Sequence, residues 1–348
     1  PPAAQVQELL RLAAPAARVP LRRARLVHGS ALLPAGASLA AAGVADGARL
    51  TLVASRAPAV LTTTHDACAR LWDSESGECL HAFRGHTESV TSAVPSPDGT
   101  AVLTASGDGT ARTWSVGSGE CLTTFTGHGG VITSARFSPD GQQVLTASGD
   151  RTAKLWDGAT GQCVRTLEGH GSSVILAEFS QDGASVLTAA GNGTLRLWHT
   201  STGECAHQLS GHDGVVTASD FSPDSSLLLT ASRDSTARLW SRETGRCLQA
   251  LQGHRQFVTS VAFSPDGTCA LTAGDDTARL WRTATGACVR VFWGHRQAVL
   301  SAAFSPDGAF VLTAGGDHCA RLWAVASGEA ARTFAGHGRA AVSSAAFS

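Results

Sequence analysis

Residues 127–157 read GHGGVITSARFSPDGQQVLTASGDRTAKLWD, and their grammar is that of short strands joined by tight turns. VITSARF alternates apolar and small or polar side chains, the two-residue period of a strand with one covered face. SPDG follows, with proline at the second turn position, where its fixed φ is already suitable. QQVLTAS reads as a second strand, GDR as a tight corner and TAKLW as a third alternating strand. CVRTL, after GATGQ, reads as a fourth. The stretch predicts one small four-stranded antiparallel sheet.

The same grammar recurs along the chain. Trp72, Trp114, Trp156, Trp198 and Trp240 follow one another at 42 residues, Trp281 comes 41 later and Trp323 another 42 later. Seven Gly-His pairs, from Gly85-His86 to Gly336-His337, keep the same step. A fixed period of this size marks a repeat architecture. Four-stranded sheets repeated around an axis protect their edges as a β-propeller.

The units resemble WD repeats: Gly-His opens each after the first, SPDG stands in the middle and LWD near the end. The resemblance covers residues 59–348 and implies a mainly β fold, a seven-bladed WD-repeat propeller that serves as a protein-interaction platform. Trp-Asp itself survives only at Trp72-Asp73 and Trp156-Asp157; Ser, His, Arg or Ala follows the other repeat tryptophans.

His128, Thr146, Asp150 and Trp156 recur around the chain as His86, Thr104, Asp108 and Trp114, and onward. A hydroxyl, an imidazole and an acid have the makings of a nucleophile, a base and an orienting group. Evenly spaced copies of a nucleophile gain an enzyme little, and Trp has no part in such a triad. Asp can accept from imidazole, and a Thr hydroxyl can meet both imidazole and an indole N–H. The WD resemblance implies the same structural tetrad, so no catalytic residue is assigned. The unmatched His65, His318 and Asp276 show no triad or metal spacing, and neither metal nor cofactor is expected. Asn192 replaces the acid in one unit and predicts a neutral bond to its histidine. The unit with Thr272 and Asp275 is one residue shorter at the corner between them, and this unit is expected to have the least regular geometry.

The first unit has Thr62, Asp66 and Trp72 but no Gly-His before them, whereas the last has His337 and AAVSSAAF but no Thr, Asp or Trp after it. The tail is therefore expected to enter the first blade as its innermost strand and close the ring. The chain starts at Pro1 and contains no Met, which reads as a fragment or a processed chain.

Residues 1–55 are different in kind. QVQELLRLAA, residues 5–14, places Val6, Leu9, Leu10 and Ala13 on one helical face and is bounded by Pro15. RARLVHG and ARLTLVAS alternate as strands. This order closely resembles the later part of a ubiquitin-like domain without its first hairpin, and implies a small, incomplete α+β β-grasp segment. If Leu26 and Leu52 face its core, Val27 and Val53 face outward. The resemblance implies that such a surface binds ubiquitin receptors or the proteasome.

The net charge is -1 over 348 residues and no long basic run occurs, so the electrostatic footprint of a nucleic-acid binder is missing. No run of eighteen apolar residues exists to cross a membrane. Nine cysteines show no CxxC; six sit in GECL-like tetrapeptides, one per repeat, and are expected as small buried residues. Free thiols suit a cytoplasmic or nuclear location.

On the face where the Gly-His loops and acidic corners emerge, two neighbouring copies differ from the rest. They carry Arg255-Gln256-Phe257 and Arg296-Gln297-Ala298, with Trp293 just before the second and Arg233 at an adjacent corner. Aromatic and Arg side chains dominate interface hot spots. The expected function is a non-enzymatic scaffold that holds a protein or peptide there. A propeller-based enzyme and the substrate receptor of a ubiquitin ligase are the alternatives; the receptor reading would want Arg or Lys two places after a Trp-Asp, which WDSE and WDGA lack.

Overall fold

The computed structural model describes residues 24–28, 31–32, 51–54, 59–63, 66–74, 76–336 and 341–347. The chain divides into two units, Pro1–Val60 with Leu71–Leu80, and Leu61–Arg70 with His81–Ser348. Among the described residues there is no helix.

In the N-terminal unit, Ala24–His28 lies between Ala31–Leu32 and Thr51–Ala54 in an antiparallel three-stranded sheet. Its register sets Val27 opposite Thr51 and Arg25 opposite Val53, so Val27 and Val53 hold positions of the same parity. The helix expected over residues 5–14 lies outside the described residues.

The second unit holds six four-stranded antiparallel sheets in succession, each running in chain order from first strand to fourth. Their first strands are Val90–Pro95, Ile132–Phe137, Val174–Phe179, Val216–Phe221, Ser260–Phe263 and Val299–Phe304. Each adjoins the first strand of the next sheet, which is the radial packing of a propeller. The core lies between sheets: Leu145, Leu155 and Leu167 of one pack with Val174, Val186 and Trp198 of the next. Alternation explains the layering, because every second residue of a strand must meet a neighbouring sheet.

Turn chemistry fixes the strand ends. In SPDG, Ser138 Oγ donates to Asp140 Oδ1 at 2.5 Å, the Gln142 N–H donates to the same oxygen at 3.0 Å, and Gly141 takes φ of 73°. Gly127 of the Gly-His pair, at φ 137°, lies where a Cβ would touch the Trp156 indole at 3.5 Å. That contact is an ordinary one, and the positive φ is what calls for glycine there.

Threonines tie the first strands together. Thr91 Oγ1 donates across sheets to the Ile132 carbonyl at 2.6 Å, Thr133 to Val174 at 2.8 Å and Thr259 to Val299 at 2.6 Å; Thr217 reaches Val258 in the same way. Ile175 and Leu300 occupy the equivalent positions and have no hydroxyl to give.

Two expectations are corrected. Ala59–Thr63, Cys68–Asp73 and Cys79–Arg84 form a sheet of three strands, and residues 341–347 carry no strand. The segment does begin on a first-strand course, since Val342 N donates to Gly315 O at 3.1 Å as Val299 N does to Gly274 O. Alternation sets which face a segment shows; it does not supply a partner backbone. Second, Cys79, Cys121, Cys163, Cys205, Cys247 and Cys288 are exposed, because each begins the last strand, at the open edge of its sheet. The short unit has the shortest first strand, four residues against six in the other four-stranded sheets.

Candidate functional site

Three places concentrate chemistry: the repeated tetrads, the rim beside the Gly-His loops, and the axis the first strands surround. In the tetrad of the quoted stretch, His128 Nδ1 lies 2.7 Å from Asp150 Oδ2 and Nε2 lies 2.7 Å from Thr146 Oγ1, while Trp156 Nε1 donates to Thr146 Oγ1 at 2.8 Å. The proton order is fixed by these contacts. Nδ1–H donates to the carboxylate, the threonine O–H donates to Nε2, and its oxygen accepts from the indole. Burial holds the imidazole below its ordinary pKa, although Asp150 acts to raise it. Burial opposes ionisation of Asp150, but bonds from Thr152, His128 and Gly129 N–H outweigh it and hold the carboxyl at about 2.

Five further copies share the Thr–His–Trp geometry, and the threonines Thr104, Thr146, Thr188, Thr230, Thr272 and Thr313 are all 0% exposed. A hydroxyl no solute can touch is no nucleophile; the tetrads hold corners of sheets together. The Asn192 unit departs from expectation. Asn192 Oδ1 accepts from Thr194 N and Oγ1, and His170 Nδ1 meets Thr194 Oγ1 at 3.2 Å in place of the asparagine. With burial and the Arg196 charge acting and no acid opposing them, His170 falls to about 4.

On the rim, Phe257 is 54% and Trp293 60% exposed. Trp293 points out because Phe292, its neighbour on Cys288–Trp293, turns inward onto Trp323 with ring centroids 5.8 Å apart. The Arg233 guanidinium carbon lies 5.7 Å from the Phe257 ring centroid, a cation–π distance that joins those two residues. Arg255, Gln256 and Arg296 are exposed, with the Arg255 and Arg296 amides donating to Asp275 Oδ2 and Asp317 Oδ2. Trp293 ends a fourth strand whereas Phe257 precedes a first strand, so they sit at opposite margins of one sheet and form no single contact.

The axis holds what sequence reasoning missed. The residue before the last aromatic of the first strands is Arg136, Glu178, Asp220, Ala262, Ala303 and, in the tail, Ala346, and Val94 holds the same place before Pro95. Three consecutive positions are charged. Comparing that column across the repeats would have exposed it, but attention to loops passed it by. Ser219 Oγ donates to Glu178 Oε2 at 2.5 Å across two sheets, and Phe263 N donates to Asp220 Oδ2 at 2.7 Å across the next two. Burial and the nearby Asp220 push Glu178 up to about 7, and burial pushes Asp220 up to about 6.

No group of three or more metal-binding side chains occurs among the described residues. No curated protein matches the chain. The computationally designed Ika8 protein is a similar solved structure, with 29% identity, a TM-score of 0.74 and coverage of 83% of this chain and 87% of its own. The family described as WD domain, G-beta repeat, matches residues 77–115, 119–157, 161–199, 203–241, 245–282 and 286–324. With that match over more than half of its length, and with buried tetrads on radially packed four-stranded sheets, the chain belongs to the WD-repeat family.

Proposed function

We propose that the protein is a non-enzymatic interaction scaffold whose propeller presents Arg233, Arg255, Gln256, Phe257, Trp293 and Arg296 to a protein or peptide partner. WD-repeat propellers serve in general as protein-interaction platforms, and the observation that carries the reading to this surface is the exposure of Phe257 and Trp293. Large aromatics left in water beside arginines leave apolar area for a partner to cover. Residues 1–55 are read as a ubiquitin-like module that links this scaffold to ubiquitin receptors or the proteasome through Val27 and Val53. The parity shared by Val27 and Val53 supports that reading.

The test separates folding from binding. Trp293→Ala and Phe257→Ala should leave the melting temperature nearly unchanged and abolish association with the main partner recovered with the full chain. Early unfolding would make Trp293 part of the core, and undiminished association would place the interface elsewhere.

A further inference from the structure

Glu178 feels one counter-charge, that of Arg136, and Asp220 none. Neither makes an ion pair among the described residues, and the nearest cation, Arg136, is exposed and donates to the Ala135 carbonyl of its own strand at 3.0 Å. Both carboxyls are half-buried, held on adjoining first strands by Ser219 and the Phe263 amide. The neighbouring copies manage with alanine, so the fold does not need charge at this level. Half-buried carboxylates without a cation are costly to ionise.

Asp220 opens onto a depression of about 600 Å³ whose walls include Phe221, Phe263, Phe304 and Phe347. It lies where the first strands run into the Ser-Pro turns. Phe257 stands before the start of the Ser260–Phe263 strand, so the two places are at opposite ends of a first strand, roughly 20 Å apart at about 3.3 Å per residue.

We propose that this channel mouth receives a basic side chain, Lys or Arg, of a partner peptide, with its aliphatic stem against the phenyl rings and its cation against the Asp220 carboxylate, behind which Glu178, outside the lining, adds negative charge. Charge complementarity selects the occupant: an apolar wall suits the stem, and the Asp220 carboxylate, without an ion-pair partner, suits a cation more than any neutral or anionic group. The inference rests on the scaffold reading only in that the ligand is a peptide, and it uses a different end of the molecule.

The experiment titrates the full chain at pH 8 with the blocked pentapeptides Gly-Gly-Arg-Gly-Gly and Gly-Gly-Lys-Gly-Gly, and with citrulline and norleucine versions as neutral controls. Both basic peptides should bind at least about tenfold more tightly than their controls, a difference of about 1.4 kcal/mol. Asp220→Asn should remove most of that preference and Glu178→Gln a smaller part of it, Asp220→Glu should retain it, and Trp293→Ala should leave it intact. Lowering the pH to 5 protonates both acids, with Arg136 the only other charged group facing them, and should erase the preference. Equal affinity for basic and neutral peptides, no binding by the folded protein, or a preference that survives in both folded neutral variants would overturn the proposal. Loss with Trp293→Ala would return the peptide to the rim and overturn it as well.

Discussion

At the scale of residues, the tetrad gives each member a different weight. Trp156 is 1% exposed and fills space between sheets, so Trp156→Ala should cost about 3–5 kcal/mol, whereas Asp150→Asn at the solvent end of the same chain of bonds should cost far less. Asn192→Asp should give His170 a carboxylate acceptor in place of the Thr194 hydroxyl and stabilise the protein by about 1–2 kcal/mol. The pH dependence follows from the depressed imidazoles. A histidine whose folded pKa lies below its unfolded value contributes stability that is complete above the unfolded value and lost as pH falls toward the folded one. For His170 that window runs from about 6.5 down to about 4, and Asn192→Asp should narrow it. Thermal unfolding of the three variants between pH 8 and pH 4 checks all of this; equal losses for Trp156→Ala and Asp150→Asn would refute the assignment.

At the scale of elements, the junctions between first strands are unequal. Four carry a threonine bond; the Ile175 junction substitutes the Ser219–Glu178 bond, and the Leu300 junction has neither. Thr133→Val should therefore cost about 1 kcal/mol. Leu300→Thr should recover a similar amount by giving the Val342 carbonyl a donor. Urea unfolding measures both, and no change in either would show that the threonines are incidental. The sequence made the sheets legible because turn residues and alternation are local: SPDG and QVLTAS carry their own instructions. It did not make the junctions legible, since a hydroxyl on one strand and a carbonyl some forty residues onward meet only through the packing of whole sheets. The cysteines were misjudged for the same reason, as periodicity gives a residue's face and not whether that face meets a neighbour.

At the scale of the whole molecule, the repeat and its family were plain from the Trp and Gly-His steps, while the rim and axis were only partly so. Phe257 and Trp293 stood out because they break the pattern in loops and at strand ends. Glu178 and Asp220 break it inside strands, where the eye expects core. The tail shows the limit most clearly. AAVSSAAF has the alternation of its predecessors, yet among residues 341–347 only Val342 donates a backbone hydrogen bond to a described residue. Hydrogen exchange should find Val342 protected and Ser343 to Phe347 exchanging far faster than Val299 to Phe304. Uniform protection across the segment would mean that it pairs as a strand and completes a fourth strand in a sheet.

The threonine bonds also have a mechanical meaning. They act as stitches along the inner margin, loaded together when neighbouring sheets are pushed apart and one after another when the chain is pulled from an end. The Leu300 junction is an unstitched seam, so tension applied at the C-terminal side meets its weakest resistance first and then a firmer stitch at Thr259. Each sheet that yields releases one repeat of slack, roughly 140 Å of extended chain at about 3.4 Å per residue, and the molecule would come undone in steps of that length.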